Sequence, residues 1–190
     1  MTNIDVFNEI KRRVDLTRRA RIKASARLRE KHEFFEKVSH IDSVIVLVFS
    51  IWFINSPDGD ITKVLLIASL SLTFFSMFLG NKNYKERASN FESNYQQLSV
   101  LLNKLQRLEV TPHLITDLKL KELHRDYEKL ILEKENHIEI DYMTINDDLS
   151  QKYKLKIKEY NKKQVISKMT IAILPLAILL IALFLFQYSV

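Results

Sequence analysis

The sequence predicts an all-α membrane protein: a two-span helical hairpin continuing into long cytoplasmic helices with coiled-coil-like packing, plus a C-terminal third transmembrane helix. Three observations carry this reading. Gly occurs 2 times and Pro 3 times in 190 residues, far below the usual ~7% and ~5%, so the turn-formers of β-sandwiches, barrels and Gly-rich nucleotide folds are missing. Apolar residues (47%) and charged residues (27%) are segregated into blocks. Three runs carry no charge at all: residues 43–57, 64–81 and 169–190. Zero Cys excludes a disulfide framework, thiolate metal sites and cysteine nucleophiles.

Residues 1–40 read as a basic cytoplasmic helix, with Ile10, Val14, Ala20, Ala24, Leu28, Phe35 and Val38 as a weak apolar stripe. Residues 41–81 read as the transmembrane hairpin, with spans at about 41–56 and 63–81. A bilayer core needs about 20 helical residues. The first run is short of that and spans only with help from Val38–Asp42 at its start and Asn55–Ser56 at its end. Asn55 to Asp60 (NSPDGD) is a turn signature that closes the hairpin. No apolar stretch begins before about residue 41, so no cleaved signal peptide is expected.

The cytoplasmic region is expected over 82–168, with helices at about 82–109, 113–139 and 148–168. Tyr84, Ala88, Phe91, Tyr95, Leu98, Leu102 and Leu105 alternate spacings of 4 and 3, a heptad seam for helix packing. With no proline between Pro57 and Pro112, the second span is expected to continue as one helix to near Glu109. Thr111-Pro112 reads as N-cap and first position of the next helix, striped by Leu120, Leu123, Tyr127 and Leu130 and extending to about Glu139. The polar 141–150 stretch reads as a loop. A Lys-rich approach leads to the third span at 169–189.

Charge fixes the orientation. Of 29 Lys and Arg, 11 lie in residues 1–40, 17 in 82–168, and one, Lys63, at the hairpin turn. Three crossings put 28 of them on one side, so the positive-inside rule places the N-terminus in the cytoplasm and the C-terminus outside. The same distribution accounts for the net charge of +6 without nucleic acid. The Arg12–Arg29 stretch has no interleaved aromatics for base stacking, which disfavours a nucleic-acid partner.

Candidate functional residues fall in three groups. Ser69, Thr73, Ser76 and Gly80 share one face of the second span. They form either a helix-packing seam or, in a homo-oligomer, part of a pore lining. His40 and Asp42 form a membrane-edge polar site, as a functional ionisable pair or, for Asp42, a helix cap. Arg12, Arg13, Arg18, Arg19, Arg21 and Arg27 are candidate anion or lipid contacts. His137, Glu139 and Asp141 would share a face only on a strand and diverge at a helix end, where solvated residues are expected. His113 and His124 have no Ser, Asp or Cys partner at a recognisable spacing. With no P-loop, Gly-rich fingerprint or paired-carboxylate motif, the sequence predicts neither an enzyme nor a cofactor.

The Arg-rich run Thr17 to Leu28 (TRRARIKASARL), the two-span hairpin, and Tyr84 to Leu98 (YKERASNFESNYQQL) after the second span resemble SLATT domains. These are the SMODS- and SLOG-associating two-transmembrane effector domains, and the resemblance covers roughly residues 10–109. It implies a membrane effector of a bacterial conflict system, of the anti-phage, abortive-infection type, in the inner membrane. Such an effector would oligomerise and form a pore or disrupt the bilayer once a sensor protein or nucleotide second messenger signals. The alternative is a non-conducting anchor or scaffold that presents basic helices to a partner protein. A third span lies outside the basic two-span pattern.

Overall fold

A computed structural model of the chain describes residues 2–54 and 59–187. The described residues are helical: α1 (Asn3–Trp52), α2 (Gly59–Asn81), α3 (Tyr84–Glu109), α4 (Asp117–Leu132), α5 (Glu139–Met143), α6 (Asp147–Lys152) and α7 (Lys154–Gln187), with one 3-10 turn at Pro112–Leu114. Hairpin-turn residues 55–58 lie outside the described residues. Two compact units divide the chain: Met1–Arg29 with Lys85–Lys158, and Glu30–Tyr84 with Glu159–Val190. The divisions fall inside α1 and α7 rather than at residues 40 and 168, because both helices run unbroken past those positions.

The first unit is a three-helix core. The pairs Lys11–Glu109, Arg21–Asn94 and Ser25–Ala88 run in opposite senses, so α1 and α3 are antiparallel. Lys134–Asn90, Asn94–Leu130 and Lys104–Asp126 make α3 and α4 antiparallel as well. Phe7, Ile10 and Val14 of α1 meet Leu98, Leu101, Leu102 and Leu105 of α3 and Leu120, Leu123 and Tyr127 of α4. The heptad face of α3 is therefore filled by helices of its own chain. Ala20, Ala24 and Ala88 are buried where α1 and α3 meet; their small side chains leave room for Ser25 Oγ to donate to Ala88 O at 2.9 Å.

Several expected boundaries shift, each for an identifiable reason. The helix expected to run from the second span to Glu109 breaks at Lys82–Asn83, where Asn83 takes φ 48°. Lys82 and Asn83 close the last turn onto Leu79 O and Gly80 O, both at 3.1 Å, and Asn tolerates the left-handed region better than any branched residue. Thr111 makes no side-chain cap. Thr116 caps α4 instead, accepting from Lys119 N at 3.3 Å. The helix expected to reach Glu139 stops at Leu132, its last carbonyls taken up by side chains of α1 and α3. The 141–150 stretch is not a plain loop: Asn146 caps α6 by accepting from Leu149 N at 2.9 Å, and the expected 148–168 helix is split at Tyr153.

In the second unit, Phe35 stacks on Tyr84 with ring centroids 5.8 Å apart. Ser39 Oγ and Ser76 Oγ share a hydrogen bond at 3.0 Å, so α1 and α2 lie side by side in opposite senses. From α2 the face Ile61, Leu65, Ala68, Leu72, Phe75 and Leu79 is buried or half-buried, again at spacings of 4 and 3. Among the described residues, one helical stretch is long and apolar enough to cross a membrane, and only 6% of its apolar window is buried. That window belongs to α2; the chain beyond Asn83 is polar.

Candidate functional site

The arginines of α1 divide by helical face. Arg12 and Arg13 both donate to Glu9, at 2.9 and 2.7 Å, and Arg18 and Arg19 both reach Asp15 at 2.8 Å. The hydrogen bonds from Arg12 and then Arg13 hold the Glu9 carboxyl down at about 2, so it stays ionised. Arg12, Arg18 and Arg19, with Lys11, line an open cleft of about 400 Å³ that also includes Asp15. Each of its four cations already pairs with a carboxylate, Glu9, Asp15 or Glu109, so the cleft carries a small net positive excess rather than free cations.

Arg21 and Arg27 depart from the expected anion-contact role because they point inward. Arg21 is 1% exposed. It donates to Asn94 Oδ1 and, at 3.2 Å, to Ile131 O, while Asn94 Nδ2 donates to Leu130 O at 2.9 Å. Carbonyls at a helix C-terminus lack partners within the helix and attract cations. Arg21 and Asn94 supply those partners and so end α4. Arg27 grips Asp141 through two hydrogen bonds of 2.8 and 3.0 Å, and Asp141 also accepts from Ile138 N at 3.1 Å. Of the His137, Glu139 and Asp141 trio, Glu139 turns to Lys156 at 3.3 Å. Burial holds the His137 imidazole below its ordinary value, with Asp141 opposing and Arg21 adding to the shift. Its Nδ1 has no hydrogen-bond partner among the described residues.

Asn94 escaped the sequence reading, which followed the apolar register through Tyr95. The signal was present: Phe91, Asn94 and Leu98 keep the 3-and-4 spacing of a buried row, and a polar residue inside such a row calls for a buried partner.

In the second unit, His40 is exposed and its ring bonds Glu36 O at 2.7 Å. Asp42 is buried at 3% exposure, on the α1 face shared with Phe35 and Val38. A cap role does not survive, because Asp42 sits deep inside the unbroken α1, far from any helix start. Its Oδ2 has no hydrogen-bond partner among the described residues. Ser69, Thr73, Ser76 and Gly80 are all exposed, one residue beyond the row that α2 packs inward. Ser69 and Thr73 donate to carbonyls of their own helix, Leu66 O at 2.9 Å and Ser69 O at 3.0 Å.

This combination of an exposed apolar helix and a basic helical unit is matched by a known family. Residues 5–190 match the SMODS and SLOG-associating 2TM effector domain family 5, SLATT_5. The chain belongs to that family. The match extends well past the 10–109 stretch that carried the resemblance, taking in α4 to α7. SLATT membership makes this a membrane protein of the effector class. A search of curated proteins and of solved structures returns no match.

Proposed function

We propose that this SLATT protein oligomerises in the bacterial inner membrane and opens a pore, or otherwise breaches the bilayer, when its cytoplasmic helices are triggered. In this reading the apolar end of α1 and α2 cross as a hairpin and α7 crosses a third time. The N-terminus and residues 82–168 are cytoplasmic and the C-terminus outside, supported by 28 of 29 positive charges falling on one side. The observation that carries the proposal is the exposed row Ser69, Thr73, Ser76 and Gly80. Ser76 meets Ser39 of α1 at the edge of the face that α2 packs within its chain, and Ser69, Thr73 and Gly80 stay off that face, which leaves these three for contact with a second copy or with water. The cleft at Lys11, Arg12, Arg18 and Arg19 is suited to receive an anionic trigger, such as a nucleotide second messenger or an acidic surface of a sensor protein.

Replacing Thr73 with Leu tests this. A row that lines a water-filled path gains an apolar constriction that gates by dewetting, so ion flux through reconstituted bilayers falls while oligomer mass is unchanged. A row that only packs helices together loses assembly instead. Wild-type oligomers that never conduct with the native trigger supplied would favour the anchor or scaffold role.

A further inference from the structure

Within the second unit, α1, α2 and α7 enclose a groove of about 330 Å³. Its floor is aromatic, formed by Phe34, Phe35, Phe75 and Phe78, and its rim carries Lys31, Lys82 and Lys168. The Lys82 ammonium lies 4.9 Å from the centre of the Phe78 ring, and that of Lys168 lies 5.4 Å from Phe34. Lys168 also pairs with the exposed Glu30 at 2.6 Å, and Lys82 stands beside it on the rim.

The position of the rim along the chain is what gives it meaning. Lys82 directly follows the uncharged run 64–81, and Lys168 directly precedes the uncharged run 169–190. Phe75 and Phe78 belong to the first of those runs. Phe75 and Phe78 lie on the apolar side of that level, while Phe34 and Phe35, against Lys168 and Tyr84, lie beside the lysines. A molecule matching it needs an anion at one end and hydrocarbon at the other. The volume holds a phosphate-bearing headgroup and the first few methylenes, and basic pockets between membrane helices on the cytoplasmic side bind anionic headgroups.

We infer that this groove seats one anionic phospholipid, with its phosphodiester at Lys31, Lys82 and Lys168 and the upper part of an acyl chain over Phe75 and Phe78. The inference rests on α2 and α7 lying in the bilayer, and is independent of pore formation. A soluble phosphate compound would gain from the rim and nothing from the floor. A lipid gains from both, through the hydrophobic burial of the aromatic faces.

The test uses the full chain in nanodiscs of equal phosphatidylcholine and phosphatidylglycerol, followed by native mass spectrometry of the released protein. One phosphatidylglycerol is retained in preference to phosphatidylcholine. Lys82→Gln and Lys168→Gln each weaken that retention about five-fold, the worth of one lysine near a charged lipid surface. Lys162→Gln, on an exposed part of α7 outside the groove, leaves it unchanged. A photo-reactive residue in place of Phe78 crosslinks to lipid. Equal losses from Lys162→Gln and Lys82→Gln would reduce the effect to diffuse attraction and overturn the site. So would the absence of any lipid preference, displacement by glycerol phosphate at equal concentration, or a Phe78 crosslink to a second copy. Failure of the chain to enter the nanodisc would count against the membrane reading beneath it.

Discussion

His137 and Asp42, each with one buried polar atom that finds no hydrogen-bond partner among the described residues, carry the clearest consequences at the scale of single residues. His137 is neutral in the folded chain because burial disfavours its charged form. The unfolded chain takes up a proton near the ordinary value of 6.5, and the folded chain does so only at lower pH. Folding stability from this residue is therefore full above about pH 6.5 and falls as pH drops below it, levelling off once the folded imidazole also titrates. Thermal unfolding of detergent-solubilised protein between about pH 7.5 and 5.5 should show this loss, and His137→Gln should flatten it. Asp42 is a buried carboxylate with an unpaired oxygen, a costly arrangement to keep for packing alone. Asp42→Leu is expected to raise stability by about 1–3 kcal/mol while lowering effector activity. A variant less stable than wild type would show that Asp42 serves packing. The sequence marked Asp42 as unusual but misjudged its surroundings, because a helix cap and a buried acid look alike until the helix start is known.

Elements were legible where periodicity is strong and illegible where a few polar atoms decide. The spacing of Leu98, Leu102 and Leu105 locates the buried face of α3 from sequence alone, and all three are buried. The end of α4 at Leu132 depends on Arg21 and Asn94, which are far from it in sequence, so no local pattern announces it. The break between α2 and α3 needs no proline, because Asn83 with its positive φ suffices, and an asparagine in a polar stretch gives no sequence signal of its own. That position makes its own prediction. Asn83→Gly should leave unfolding unchanged, since Gly adopts this conformation freely. Asn83→Val should cost about 1–2 kcal/mol, read from the same melting experiment. Equal stability for both variants would mean that the break relaxes into continuous helix.

For the molecule as a whole, the sequence disclosed helical class, basic character and family, but not the division into two units. That division depends on which distant segments pack together, and hydrophobic pattern reports only how each segment is patterned within itself. The α3 seam illustrates the gap. Its heptads are compatible with packing within one chain or between subunits, and Phe7, Ile10, Val14, Leu120 and Leu123 of the same chain occupy the face. Leu98→Ala, at a fully buried position, should therefore cost about 2–5 kcal/mol of stability and leave the crosslinked oligomer size in membranes unaltered. A changed size would move subunit contacts onto α3.

Three hydroxyls of α2 close on the helix's own backbone, Ser69 to Leu66 O, Ser71 to Ile67 O and Thr73 to Ser69 O, while Ser76 meets Ser39 of α1. A hydroxyl satisfied in this way carries little penalty into hydrocarbon. Those three hydroxyls need neither neighbour nor water to rest among lipids. The same hydroxyls can turn outward without breaking a backbone bond. Under the proposed function, this property gives a single copy that rests in the membrane where it would act, ready to take up partners without refolding.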